Sequence, residues 1–259
     1  MARAAVLERL TWSPATLERV HAETSSARTL TFDVAGWSGH QPGQHVDVRL
    51  TAADGYTAQR AYSIGSAPAA ATFDLTVEET PGGEVSPFLV EMAKPGVIVE
   101  VRGPLGGWFL WTPDRIEPVQ LVGGGSGVVP LMSMFRTHRI SKHPSPMRLL
   151  YSVRSPADIL FANELHAFHP LDHVGLKSTA DSVSVLYSRA TPTGEQRPAR
   201  RLSEVDVQAH TLPSASHPVC YVCGPTPFVE AAVALLLAAG HPPSMIRTER
   251  FGSGRMDQP

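Results

Sequence analysis

Two glycine-rich loops, each placed just before a helix start, carry the first chemistry that this sequence suggests. Gly123-Gly124-Gly125-Ser126-Gly127 follows an apolar, strand-like run and opens a helical one. Glycines there let the backbone approach a pyrophosphate, and a helix N-terminus supplies N–H groups and a positive dipole end. The loop departs from the usual dinucleotide fingerprint, because Pro130 stands where a third glycine belongs after Gly125 and Gly127. No Lys-Ser/Thr pair follows it, and Val128 breaks the nucleophile-elbow pattern around Ser126. The second loop, Gly82-Gly83-Glu84-Val85-Ser86, precedes Pro87 in a stretch that otherwise reads as strand. Upstream, Arg60-Ala61-Tyr62-Ser63 offers a cation, an aromatic face and a hydroxyl, with Arg60 and Tyr62 on one face of a strand. Two anion cradles in two different settings point to two nucleotide-type cofactors.

Cys220 and Cys223 are the whole thiol inventory. Their C-x-x-C spacing resembles a redox pair or half a zinc site, but they end an apolar run where strand alternation separates them. A redox-active pair belongs at a helix start, where the dipole lowers the thiol pKa. Two cysteines are also fewer than the four that a plant-type iron–sulfur cluster takes. His166, His169 and His173, with His138 and His143 nearby, have no acid or cysteine cluster to complete a metal site. None is expected.

The elements that must position these residues fall into two textures. Alternating runs such as Thr29–Val34, His45–Leu50 and Phe73–Val77, broken by Pro/Gly turns, predict an antiparallel β-barrel or sandwich. One helix interrupts them, with Ser86 as its cap, Pro87 at its first position, and Phe88 to Ala93 following. A polar, Pro-flanked stretch from Trp111 to Pro118 reads as a linker, which divides the chain into residues 1–113 and 114–259. Beyond it, strands at 119–122, 148–153, 183–187 and 219–222 alternate with helices at 128–138, 157–168, after Ser203, and from Thr226 to Ala239. That alternation predicts a doubly wound α/β domain with a parallel sheet. Residues 252–259 read as a tail.

The bulk properties are those of an ordinary globular protein. A formal net charge of −2 gives no reason to expect nucleic acid as a partner. No apolar run is long enough for a membrane span, and charge enters the first nine residues too early for a secretory leader. The expected location is cytoplasmic.

Five motifs occur in order: Arg60-x-Tyr62-Ser63, Gly82-Gly83-x-Val85-Ser86, Gly103-Pro104-x-Gly106-x-x-Phe109, Gly123-Gly124-Gly125-Ser126-Gly127 and Cys223-Gly224-Pro225. Together they resemble the ferredoxin–NADP(+) reductase superfamily, and the resemblance covers nearly the whole chain. It implies a FAD-binding β-barrel followed by an NAD(P)-binding α/β domain, with the flavin between them. Within it, Arg60-Ala61-Tyr62-Ser63 would be the flavin strand, with Tyr62 stacked on the isoalloxazine and Ser63 near flavin N5. Arg60 and the backbone of Gly82, Gly83, Val85 and Ser86 would take the FAD pyrophosphate. Gly125, Ser126 and Gly127 would hold the pyrophosphate of the nicotinamide dinucleotide, and Cys223-Gly224-Pro225 would lie beside its nicotinamide ring. Phe251 would cover the flavin face and Glu249 would relay a proton.

The resemblance also bears on the choice of dinucleotide. Ser188-Arg189 looks like the pair that grips a 2′-phosphate in plant-type members, and Arg154 closes the preceding strand without an acid. Arg197, Arg200 and Arg201 lie close downstream. NADPH is expected, with NADH possible. Hydride would pass from the dinucleotide to FAD, and electrons onward to a separate acceptor such as a ferredoxin or a terminal oxidoreductase. Two rival readings are a flavin or quinone reductase acting on small acceptors, and a non-catalytic flavin-bearing subunit.

Overall fold

The computed structural model describes residues 11–167 and 182–251. Six antiparallel strands come first: β1 (Ser13–Thr24), β2 (Ala27–Val34), β3 (His45–Thr51), β4 (Thr57–Ser63), β5 (Thr72–Glu78) and β6 (Ile98–Leu105). They lie in the order β4-β3-β6-β1-β2-β5. The outer strands β4 and β5 meet through an Ile64–Leu75 bridge, which curls the sheet toward a barrel. Alternate residues of each strand fill its interior, as Leu30, Phe32 and Val34 of β2 and Phe73, Leu75 and Val77 of β5 do.

The interrupting helix starts earlier than its sequence suggests. Helix α1 (Val85–Pro87) has Glu84, not Ser86, at its N-cap, and widens into a π-turn over Phe88–Met92. Ser86 cannot cap because its Oγ accepts the Thr80 N–H at 3.0 Å. The hydroxyl pins the glycine loop to the strand before it.

The second half is a parallel sheet of β7 (Val119–Gly124), β8 (Met147–Val153), β9 (Ser182–Tyr187), β10 (Val219–Pro225) and β11 (Ile246–Phe251), in the order β11-β10-β7-β8-β9. Both faces are apolar, as a sheet covered on both sides requires. One buries Leu121, Leu149 and Tyr221 against helix α2 (Val128–Ile140). The helix expected at 157–168 is broken. A 3-10 turn over Pro156–Asp158, capped by Ser155, is followed by an extended step and then by α3 (Ala162–His166). Tertiary partners take the backbone donors a continuous helix needs: Leu160 N–H reaches the Tyr151 hydroxyl and Phe161 N–H reaches Glu23. Helix α4 (Glu204–His210) begins at Ser203, whose N–H and hydroxyl both donate to Asp206. Helix α5 (Thr226–Ala238) covers the other face of the sheet, packing Val229, Ala232 and Leu236 under Val122 and Val222, and ends before Gly240, whose φ of 88° suits a glycine stop.

The linking stretch is less free than its polarity suggests. Trp111 is fully buried in the second core beside Met134 and Phe135. Phe168, His169, His173, the first ten residues and the 252–259 tail lie outside the described residues.

Candidate functional site

The parallel sheet changes direction between β7 and β10: the chain proceeds from β7 to β8 on one side and reaches β10 on the other. Loops leaving two such strands diverge and open a crevice at their carboxyl ends. The 123–127 loop and Cys223-Gly224-Pro225 meet at this point, and their glycines serve different ends. A Cβ on Gly127 would stand 2.2 Å from the Cys223 carbonyl oxygen, and one on Gly124 would stand 2.6 Å from the Phe228 ring. Gly125, at φ +55°, faces open space. Close packing therefore brings two loops together, and the left-handed residue presents bare backbone to the crevice.

A cavity of about 180 Å³ opens there. Gly124, Gly125 and Ser126 form one wall, with Ser152, Arg154, Asp158 and Ser188 at the ends of β8 and β9. Thr24, Ser26 and Glu78 of the barrel complete it, so the crevice lies between the two halves. The expected arginines separate here. Arg154 is exposed on the cavity wall, whereas Arg189 is exposed away from it, its N–H bonded to the Arg154 carbonyl at 2.8 Å. Arg197 and Arg200 both grip the buried Asp206, with nearest contacts of 2.7 and 2.6 Å, and are committed to the α4 start. Burial alone would raise the Asp206 carboxyl, but hydrogen bonds from Arg197, Ser203 and Arg200 hold it well below the usual range.

In the barrel, the Arg60 strand and the Gly82 loop come together. Burial pushes the Tyr62 hydroxyl up to about 12, against the pull of Arg60 and of a hydrogen bond with Ser86. Gly82, at φ +74°, has nothing within 4 Å of a notional Cβ, while one on Gly83 would meet the Thr80 carbonyl at 3.0 Å and Ser86 Oγ at 3.3 Å. Gly83 N–H is held inside this turn by Thr80 O at 2.9 Å, and the N–H groups of Val85 and Ser86 open the helix, where no preceding turn offers an acceptor. Tyr56, at 57% exposure, joins this cluster without having been picked out by its pattern: its hydroxyl donates to Glu84 at 2.9 Å beside Arg60. Its place after the Asp54-Gly55 hairpin tip was the available signal. Ser63 pairs with His45, which pairs in turn with Leu105, placing the Gly103–Phe109 motif beside the end of β4. Phe109 then reaches the second half, edge-on to Tyr221 at 5.4 Å.

Cys220 and Cys223 face opposite sides of β10, in separate cores, as alternation requires. Cys223 lies in one row with Gly123 and Glu249. Burial, reinforced by Glu249, pushes its thiol far up, and burial raises Glu249 to about 7. Phe251 pairs with Pro225 and packs against the core that holds Cys223. His138, tilted, and His143, edge-on, pack against the Trp111 ring, and among the described residues no group of three or more metal-ligating side chains converges.

Comparison with known proteins agrees with this geometry. An oxidoreductase FAD-binding domain model matches residues 14–110, and an oxidoreductase NAD-binding domain model matches residues 121–234. The chain belongs to the ferredoxin–NADP(+) reductase superfamily. Among relatives within this superfamily, the glycine betaine monooxygenase reductase subunit of Chromohalobacter salexigens is 30% identical over 244 residues, 92% of this chain. The chain spans 64% of that relative's length. The reductase component of a naphthalene 1,2-dioxygenase/salicylate 5-hydroxylase system from a Ralstonia species is 29% identical over 91% of this chain and 68% of its own length. Of solved structures, an Amycolatopsis cytochrome P450 reductase superposes with a TM-score of 0.77 at 26% identity, over 93% of this chain and 70% of that one. A Neisseria gonorrhoeae ferredoxin NADP+ reductase with bound FAD and NADP, at 19% identity and a TM-score of 0.72 over 93% and 99%, shares the fold. The residues present fit a superfamily reductase: an open left-handed glycine at the switch point and a barrel loop whose Ser86 hydroxyl meets Tyr62 of the Arg60 strand.

Proposed function

We propose that this protein is the reductase of an electron-transfer system, taking hydride from a reduced nicotinamide dinucleotide and delivering electrons to a separate redox protein. The observation that carries this reading is the packing of Gly127 against Cys223 and Gly224 at the switch point, beside a cavity lined by Gly124, Gly125, Ser126 and Pro225 and by Thr24, Ser26 and Glu78 of the barrel. FAD, when bound, supplies an N5 that accepts hydride from nicotinamide C4. Arg60, Val85, Ser86 and the Gly82-Gly83 turn hold its pyrophosphate, with Ala61 on the same strand. With FAD bound, Tyr62 would support its ring and Ser63 would lie near N5. Gly125, Ser126 and Gly127 hold the dinucleotide pyrophosphate, and Cys223, Gly224 and Pro225 border its nicotinamide end. Glu249, with its pKa near 7, gives and takes a proton at working pH. Phe251 shields the ring.

Arg154 and Ser188 on the cavity wall favour NADPH, with Arg189 behind them. A second reading, NADH, is favoured by Asp158 on the same wall, since a carboxylate there accepts a ribose 2′-hydroxyl and repels a 2′-phosphate. The relatives' description as reductase components of oxygenase systems supports an oxygenase or a ferredoxin as acceptor. Anaerobic titration of the purified protein with each dinucleotide tests the reading. Bleaching of a yellow protein, faster with NADPH, is expected. A protein that takes up no FAD defeats the proposal, and equal bleaching defeats only the NADPH preference.

A further inference from the structure

Helix α2 runs from the 123–127 loop to the turn that follows the end of β4. Its N-terminus continues directly from Gly125–Gly127. Ser133 and Arg136 follow, about 9 and 13 Å along the axis at the usual helical rise. Ser133 Oγ donates to the Ser66 carbonyl at 2.6 Å, and Arg136 Nη1 donates to the Gly65 carbonyl at 2.6 Å. These carbonyls lie just past Ile64, where β4 leaves Tyr62 and Ser63. Gly65 allows the approach, since even a Cβ there would stand 3.2 Å from Val129 Cγ1.

Arg136 is itself held in place. Its Nε and Nη2 donate to Glu164 of α3 at 3.1 and 2.6 Å, and its guanidinium lies 4.6 Å from the centre of the Phe161 ring. Phe161 takes φ +58°, a left-handed conformation that a bulky side chain adopts only under constraint. The constraint comes from the barrel: Phe161 N–H donates to Glu23 Oε2 at 2.8 Å, and Glu23 Oε1 accepts from Thr29 at 2.6 Å. The barrel and the α/β half are therefore joined by two routes that converge on one arginine.

We propose that Ser133 and Arg136 are positioning residues that fix the dinucleotide-binding end of α2 against the end of the flavin strand, and so set the approach of nicotinamide to flavin. The inference rests on the cofactor assignments above. Neither residue belongs to either cradle, so their effect should appear in geometry more than in affinity. The test compares the full FAD-loaded chain with Arg136→Met, Arg136→Lys and Ser133→Ala, by anaerobic stopped-flow reduction over a range of dinucleotide concentrations. Arg136→Met should lower the limiting reduction rate about 10- to 100-fold, while the dinucleotide dissociation constant moves less than about threefold. Arg136→Lys, which can still reach Gly65, should recover part of the rate, and Ser133→Ala should lose about threefold. Amide exchange at Gly65 and Phe161, read in the FAD-free chain, should accelerate about tenfold in Arg136→Met. A limiting rate within about twofold of the unmodified chain overturns the proposal, as does a loss that lysine does not rescue and that tracks loss of FAD. If Arg136→Met does not fold, unchanged limiting rates in Arg136→Lys and Ser133→Ala overturn it equally. An unmodified chain that neither dinucleotide bleaches overturns the functional reading as well, whereas normal bleaching with unaffected variants overturns this inference alone.

Discussion

Glu249 lies directly across the β10–β11 ladder from Cys223, and burial drives both toward their uncharged forms. For Glu249 this has a definite sign. Its pKa rises from an ordinary carboxylate value to about 7 in the folded protein, so the fold binds this proton more tightly than the unfolded chain does. Stability should fall as pH rises from about 5 to 8, by at most about 3 kcal/mol, and be unaffected by this group below about pH 4. Glu249→Gln should abolish that slope in urea unfolding measured across the range. The same inflection near pH 7 should leave the flavin reduction rate in the variant. A slope that survives the substitution would place its origin elsewhere.

The cysteines give a simpler test. Burial pushes Cys220 up to about 12 and raises Cys223 well above its ordinary value, so neither carries appreciable thiolate at neutral pH. A thiol reagent should leave both unmodified in the native protein and titrate both in denaturant. Fast reaction of either native thiol would contradict the packing described for β10.

Gly127 and Gly125 should respond differently to alanine. Gly127→Ala forces a Cβ into the Cys223 carbonyl and must separate the two loops, which should cost several kcal/mol, on the order of 3, and abolish dinucleotide binding. Gly125→Ala meets open space and bears only the left-handed penalty of about 1–2 kcal/mol. Urea denaturation of both variants gives the order, and the reverse order would be incompatible with this geometry.

Asp206→Asn should be strongly destabilising, at about 3–5 kcal/mol, because it leaves the half-buried Arg197 without its counter-charge at the start of α4. The native carboxylate contributes stability above the ordinary aspartate range and loses it as pH falls through its depressed folded value. Dinucleotide preference, read by titration of the folded fraction, should not change.

Arg154→Ala should weaken NADPH about tenfold and leave NADH nearly unchanged, a difference that competitive titration resolves. Equal effects on both dinucleotides would move the 2′-phosphate contact to another residue.

Much of the plan was legible from residue patterns. Alternation in β2 and β5, the strand–helix rhythm after residue 119, and Gly125–Gly127 ahead of α2 follow from local rules that the folded chain keeps. The failures share a cause in tertiary competition. Ser86 looked like a cap until Thr80 claimed its hydroxyl, and the helix through Phe161 breaks because Glu23, far off in sequence, takes the backbone donor. Arg197 and Arg200 were equivalent to Arg154 as sequence, and only Asp206 distinguishes them. Arg136 carried no local signal, since its partners at Gly65 and Glu164 lie 71 and 28 residues away.

The barrel's seam has a consequence for assembly. Among the described residues, β4 pairs with β3 on one side and meets β5 just past its end at Ile64, so the other side of Thr57 to Tyr62 has no partner strand. Such an edge is a template for a strand from another chain, and natural sheets shield it with charge or a cover. Arg60 supplies the charge, and a flavin bound along this strand, as proposed above, would supply the cover. Cofactor loading would then double as a guard against self-association, with the empty chain the species most prone to stick to its own kind.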